Sequence, residues 1–286
     1  MDYKISGFSD EITSNTTEQF KALNRLGIEY FEPRGIDGKN ISGLSEEEAF
    51  ALKEKMDEYG IKVSSIGSPI GKIKITDDFD AHFEVFKNVV KIAGILDTKY
   101  IRMFSFYNNE KEWSADSREI VFSYLKKMID YAKDKHVVLL HENEKDIYGD
   151  TTERCLDLME NLYCDNFKAV FDPANFVQSG QDTKKTFDIL KPYIEYMHIK
   201  DSKADGTVVP SGMGTGNIEY ILESLLNNGY NGFLSLEPHL GSFEGLAALE
   251  LDDKMENLPK GGEGTFTLAF NSLNDVLDKI KEKAGK

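Results

Sequence analysis

Four successive stretches of this chain obey one rule: a short apolar run ends on an acid or a histidine. In Val137–Asn143 the run closes on Leu140-His141-Glu142-Asn143. In Phe167–Phe176, Ala169-Val170-Phe171 is cut off by Asp172 and Pro173. Tyr196–Asp201 carries His198, Lys200 and Asp201, and Phe233–His239 closes on Leu236-Glu237-Pro238-His239. Continuous apolar runs of this kind suit parallel strands buried on both faces. Proline cannot continue a central strand and holds the residue before it extended. Asp172 is therefore expected at the very end of a buried strand, its carboxylate facing out of the sheet end.

The rest of the chain repeats the alternation. Strands are predicted at Tyr3–Phe8, Ile28–Phe31, Ile61–Ile66 and Tyr100–Phe104, ahead of the four above. Thr16/Gln19 and Ser45/Glu48 have capping-box spacing, and Gly27 and Gly60 stop the helices they start. Phe83, Phe86, Val90 and Ala93 form one apolar stripe at helical spacing. Further helices are predicted over Ala115–Lys135, after Asp150/Glu153, near Thr183–Leu190, over Ile218–Leu226 and over Thr265–Lys283. Eight strand–helix units without a linker or a shift of composition predict a (β/α)8 barrel, one domain spanning residues 1–286. Helix-to-strand joins are short, whereas the join after Glu237, Leu240–Gly264, runs to about two dozen residues, well beyond the usual length. In a barrel the long joins share the C-terminal face, where sites are built. This one is read as a lid or partner-binding segment, or as a plain surface excursion.

Charge and composition narrow the function. With 34 basic against 50 acidic residues the net charge is −16, the wrong sign for a nucleic-acid binder. The 18 Phe and 13 Tyr exclude a disordered chain. No stretch approaches the roughly 18 apolar residues of a membrane span. The opening residues have neither the basic nor the apolar region of a secretory signal, and the two cysteines, Cys155 and Cys164, are too few and too close for a disulfide framework. A cytoplasmic location is expected, and self-association into a homo-oligomer is left open.

In a barrel the ends of strands five to eight are neighbours, so Glu142, Asp172, His198 and Glu237 converge over one half of the mouth. Three carboxylates and an imidazole cannot crowd together without a cation, because mutual repulsion forces protons onto some of them. A divalent metal removes that conflict. A donor set of three oxygens and one nitrogen is mostly hard and suits Mn²⁺ first, with Mg²⁺, Co²⁺ and Zn²⁺ as alternatives.

These motifs, with the glycine loop Gly212–Gly216, resemble the xylose-isomerase-like TIM barrels of the sugar phosphate isomerase/epimerase superfamily. The resemblance spans essentially the whole chain. It implies one divalent metal on Glu142, Asp172, His198 and Glu237, with the two glutamates also serving as acid and base. It further implies a small sugar or sugar-phosphate substrate and an isomerase or epimerase reaction. A metal holding a carbonyl and a neighbouring hydroxyl stabilises the cis-enediolate that deprotonation creates. One glutamate removes the proton; the other returns it to the opposite face or to the next carbon, each contributing about 10²–10⁴-fold. The ketose 3-epimerase branch carries a second histidine three residues after the metal-binding aspartate; this chain has Asn175 there.

Other residues fall at strand ends on the same face. Glu32, Arg34 and Arg102 are read as substrate contacts or as ion pairs in the barrel mouth. Lys72 and Lys200 are read as substrate-binding, Asn175 likewise, Ser68 as a weaker candidate, and His239 as orienting substrate or Glu237. The GMGTG loop is read as a phosphate seat or a flexible turn. His141, one residue before Glu142, points away from the site by alternation. Trp113 is an apolar wall or helix packing. Competing functions are a dehydratase of inosose or dehydroshikimate type on the same metal site, an abasic-site endonuclease, and a non-catalytic sugar-binding barrel. The endonuclease needs several zinc ions and many histidines, against five histidines and a net charge of −16 here.

Overall fold

The computed structural model describes residues 2–110, 112–241 and 260–284. Eight parallel strands ring a central axis: β1 (Lys4–Gly7), β2 (Tyr30–Phe31), β3 in two pieces (Lys62–Val63 and Ile66–Gly67), β4 (Tyr100–Met103), β5 (Val138–Glu142), β6 (Phe167–Phe171), β7 (Ile194–Ile199) and β8 (Phe233–Leu236). Each pairs with its sequence neighbour, and β1 pairs with β8 in the register Lys4↔Phe233 to Gly7↔Leu236. The Glu32 N–H donates to the Gly7 carbonyl at 2.9 Å and joins β2 to β1, completing the ring. The expected (β/α)8 barrel is the observed fold.

Strand three is the irregular one. Its first half pairs with β2 and its second with β4. Between them Ser64 turns its hydroxyl inward, donating to the Phe31 carbonyl at 3.0 Å and bonding the Ser6 hydroxyl at 2.6 Å.

Successive strand side chains face opposite sides, and this sorts the core into two. Inward-facing Tyr100, Leu140, Val170, Tyr196 and Phe233 fill the lower barrel. Outward-facing residues such as Phe171, Met197 and Leu234 pack against the surrounding helices. Phe171 is 1% exposed and meets Phe176 and Phe187 at centroid distances of 5.0 and 5.7 Å. Burying a side chain of that size contributes about 1.5–3 kcal/mol.

Among the described residues the α-helices are α1 (Thr16–Leu26), α2 (Glu46–Tyr59), α3 (Phe79–Ile95), α4 (Ala115–Lys133), α5 (Thr152–Leu162), α6 (Pro173–Gln178), α7 (Thr183–Leu190), α8 (Ile218–Asn227) and α9 (Glu263–Ala284). The Ser45/Glu48 capping box forms, and the α3 stripe of Phe83, Phe86, Val90 and Ala93 is buried. Two expected caps move by one residue. Asn15, not Thr16, caps α1, because Thr16 instead exchanges hydrogen bonds with Asp37. Thr151, not Asp150, caps α5, and Asp150 turns to Arg154. Helix α6 is an addition to the expected order: Asp172 caps it and Pro173 takes its first position, where the missing N–H costs nothing. Cys155 and Cys164 are both free thiols. The long join after β8 lies mostly outside the described residues, so the lid reading of 240–264 stays an expectation from the sequence. No helix among the described residues is long and apolar enough to cross a membrane.

Candidate metal centre and active site

The inward positions at the strand tops carry the chemistry, each two residues above a barrel-filling side chain. Tyr100 leads to Arg102, Leu140 to Glu142, Val170 to Asp172, Tyr196 to His198 and then Lys200, and Phe233 to Ser235 and then Glu237. Glu142, Asp172, His198 and Glu237 each bring one donor atom into a group whose members lie within 4.8 Å of one another, all four buried.

His198 is the pivot. Its Nδ1 lies 2.7 Å from Glu142 Oε1 and 3.3 Å from Glu237 Oε2. Its Nε2 lies 3.2 Å from Glu32 Oε2 on the other side. The Tyr196 hydroxyl (2.8 Å) and the Ser235 hydroxyl (2.7 Å) both donate to Glu32 Oε2. Glu32 thus sits beneath the imidazole, deeper in the barrel, and makes no pair with Arg34. The Phe8 ring meets His198 edge-on at 5.2 Å and carries the Arg34 and Arg102 guanidinium groups at 4.6 and 5.3 Å from its centroid.

Each carboxylate has a cation within reach, and Lys200 is shared by two of them. Arg102 Nη1 donates to Glu142 Oε2 at 3.0 Å. Asp172 Oδ1 accepts from the Asn175 N–H at 3.0 Å, and Lys200 Nζ lies 3.1 Å from Asp172 Oδ2 and 3.4 Å from Glu237 Oε2. Glu237 Oε1 faces His239 Nε2 at 3.3 Å and Arg34 at 3.7 Å. Asn143 clamps the tops of β5 and β6 together: its side-chain amide donates to the Asp172 carbonyl and accepts from the Asp172 N–H, both at 2.9 Å. Asn175 in turn donates to the Asn143 carbonyl at 2.9 Å.

The protonation states follow from burial set against these neighbours. Burial pushes Glu142 up, but His198 and Arg102 outweigh it and leave its carboxyl below the usual value. Burial likewise opposes Glu237, yet Lys200 and His239 hold it well below the usual carboxylate range. Burial carries Asp172 up to about 7; Lys200 opposes the rise, and the charges of Glu237 and Glu142 add to it. Burial works against a charged His198, but Glu142 and Glu32 on its two nitrogens keep it protonated well above its usual value.

Two of the buried oxygens, Asp172 Oδ2 and Glu237 Oε2, accept no hydrogen bond. These two oxygens lie within ion-pair reach of Lys200 yet take no well-directed hydrogen bond, and beside an imidazole nitrogen and a second glutamate they form a donor set that fits a divalent cation. Glu32 matches the carboxylate that commonly holds the far nitrogen of a metal-binding histidine.

The remaining expected residues are spread around this centre. Lys72 pairs with Glu144 at 3.1 Å and lies over the Phe104 ring. Arg34 makes a two-pronged pair with Asp10 at 2.8 and 3.0 Å, and the His239 N–H donates to Glu11 at 2.8 Å. Ser68 donates its hydroxyl to the Arg102 carbonyl. His141 points outward and bonds the Ser105 hydroxyl at 2.9 Å, as alternation requires. Trp113 packs edge-on against Tyr148. The GMGTG loop is filled from within: Asp201 accepts the N–H groups of Gly212, Gly214 and Gly216 at 2.9–3.0 Å. Tyr196, Ser235 and Asn143 were not singled out from the sequence. The first two show only as inward positions two residues below a proposed ligand.

The fold and this cluster define a TIM barrel with a candidate metal centre at the C-terminal ends of its strands. The sequence profile described as xylose isomerase-like TIM barrel matches residues 20–258, and the chain belongs to that family. Among curated proteins, a 3-dehydroshikimate dehydratase of Bacillus anthracis is 24% identical over 184 residues, covering 63% of this chain. That match spans 64% of the relative, just under two thirds of its length. Among solved structures, an L-ribulose 3-epimerase superposes with a TM-score of 0.77 at 18% identity, covering 99% of this chain and 97% of the other. The IOLI protein, solved with a binding zinc atom, gives 0.75 at 18% identity over 97% and 99%.

Proposed function

We propose that the protein is a divalent-metal-dependent isomerase or epimerase that moves a proton beside the carbonyl of a small polyhydroxylated substrate. The observation that carries this reading is the buried group of Glu142, Asp172, His198 and Glu237, with ligand atoms within 4.8 Å of one another. A divalent cation bound there, Mn²⁺ first, would polarise the carbonyl and stabilise the charge that deprotonation puts on its oxygen. Arg102 and Lys200 keep Glu142 and Glu237 ionised, so either can accept a proton from carbon. One of the two removes it and keeps it; the other, having taken a proton from solvent or a substrate hydroxyl before the step, donates that proton to the opposite face or to the adjoining carbon, and exchange with water then resets both. Asp172, tied down by the Asn175 N–H and the Asn143 clamp, holds its place while they do so.

Likeness to the Bacillus anthracis dehydratase supports a second reading on the same site. The same base takes the proton, and the partner acid protonates a departing β-hydroxyl, which leaves as water. The test is incubation of the Mn²⁺-loaded protein in D₂O with ketoses, aldoses and inososes, followed by proton NMR, against protein stripped with a chelator. Exchange of a C–H adjoining the carbonyl only in the loaded protein is expected. Epimer or isomer against enone as product separates the two readings. Exchange that survives the chelator would sink both.

A further inference from the structure

The charges around the mouth are matched in a way that speaks to the substrate. Among the described residues, four cations at the mouth each have a carboxylate: Arg34 with Asp10 at 2.8 Å, Lys72 with Glu144 at 3.1 Å, Arg102 with Glu142 at 3.0 Å and Lys200 with Asp172 at 3.1 Å. Glu11, Glu32 and Glu237 come on top of these, all at most 5% exposed. In formal charge, these seven carboxylates outnumber the four cations by three. A divalent cation in the centre would narrow that deficit but not reverse it, so no cation there among the described residues stands over for an anionic substrate. A phosphate or carboxylate on the substrate would have to take a cation from one of these buried or half-buried pairs and leave a carboxylate uncompensated, an outcome that costs more the more desolvated the pair is.

An independent feature points the same way. In (β/α)8 barrels a phosphate often sits on backbone N–H groups of the loops after strands seven and eight. Here the N–H groups after β7 already hold an anion, the Asp201 carboxylate, which accepts from Gly212, Gly214 and Gly216 and from Ser202. A Cβ on Gly214 or Gly216 would run into that carboxylate, so the loop is shaped around it.

From these observations we infer that the site selects an uncharged polyhydroxy ketone, open-chain or cyclic, over its phosphorylated and carboxylated counterparts. Hydroxyl groups can donate to the spare lone pairs of carboxylates such as Glu144 and Asp10 without breaking their ion pairs, since each ionised carboxyl offers about four acceptor positions. The inference rests on the proposed proton-transfer site and narrows it. It also sets this chain apart from its Bacillus anthracis relative, whose named substrate is an anion, and so favours an inosose-type compound if water is lost.

The experiment pairs neutral and anionic ligands on the Mn²⁺-loaded protein. Ketoses and inososes are compared with their phosphate esters and with carboxylated ring analogues by deuterium wash-in, and xylitol and myo-inositol with xylitol 5-phosphate by thermal shift. The inference expects at least one uncharged ligand to bind, with its charged counterpart at least 100-fold weaker or silent. Binding without exchange would overturn the proton-transfer reading and leave the charge preference standing. Stronger binding or faster exchange of a phosphorylated or carboxylated compound would overturn the preference alone, and so would failure of every neutral ligand to bind. Glu144→Gln supplies a second check: it releases Lys72 and should raise affinity for the phosphate ester at least tenfold. No rise would contradict the matched-charge argument.

Discussion

Changing Glu32 to glutamine removes one charge from beneath His198 and keeps the shape of the side chain. Glu32 is 1% exposed, and its carboxylate faces His198 Nε2 at 3.2 Å while accepting from Tyr196 and Ser235 at 2.8 and 2.7 Å. The amide can still offer its carbonyl to Nε2–H. Its NH₂ then meets the two hydroxyls, which rotate to accept, so the buried hydrogen bonds are reversed and not lost. Folding stability should change by less than about 1 kcal/mol, the scale of one net hydrogen bond. Metal affinity should not escape so lightly, because the carboxylate fixes the tautomer that turns Nδ1 toward Glu142 and Glu237 and makes that nitrogen more basic. Loss of such a partner typically weakens metal binding about 10–100-fold, which is about 1.4–2.8 kcal/mol at 1.4 kcal/mol per decade. Calorimetric titration of Mn²⁺ into chelator-stripped wild type and Glu32→Gln measures this. Dissociation constants within twofold of each other would show that the Nε2 contact does not orient the ligand.

Two further predictions test the surroundings. Gly214→Ala places a Cβ against Asp201 and the Ser202 carbonyl and should cost about 1–3 kcal/mol in urea unfolding; Gly94→Ala in α3, with nothing within 4 Å, should be neutral or stabilising by up to about 1 kcal/mol, and equal effects would deny that the loop is built around Asp201. Burial pushes the His141 ring down to about 4 from 6.5, so the unfolded chain takes up its proton first as pH falls. The native state should then lose about 3 kcal/mol from this group between pH 6.5 and 4, and none of it above pH 6.5. His141→Gln should remove that share of the acid sensitivity, and parallel stability–pH curves for variant and wild type would contradict it.

How far the site could be read beforehand depends on the distance over which its residues act. Glu142, Asp172, His198 and Glu237 each stop an apolar run, and period-two alternation alone sets them on the inner face. The role of Glu32 was hidden, because its partners Tyr196 and Ser235 lie 164 and 203 residues away and meet it only inside the closed barrel. Glu32 and Arg34 look like an ion pair along the chain, yet the strand top sends Arg34 to Asp10 on β1's side of the mouth. The glycine loop has the composition of an anion seat, and it is one; that the anion is Asp201, eleven residues upstream of Gly212, depends on a loop path that composition does not encode. The caps at Asn15 and Thr151 were missed by one residue because Asn15-Thr16 and Asp150-Thr151 are each two good cap formers in a row, and only backbone angles choose between them. Pro173 signals both a strand's end and a helix's first position, and α6 follows from the second meaning.

The central claim is that Glu142 and Glu237 move the proton at a metal site they also help to build. The direct measurement is deuterium wash-in by NMR for wild type, Glu142→Gln and Glu237→Gln, at matched metal occupancy, on whichever ketone the wild type exchanges. Glutamine keeps an oxygen donor but cannot take a proton. Metal affinity should therefore fall modestly while turnover falls by at least about 10³-fold in both variants. The variant lacking the first base should stop exchanging, whereas the one lacking only the returning acid should still exchange without forming product. Near-normal turnover in both would contradict the assignment and leave the metal centre structural or in the service of another reaction.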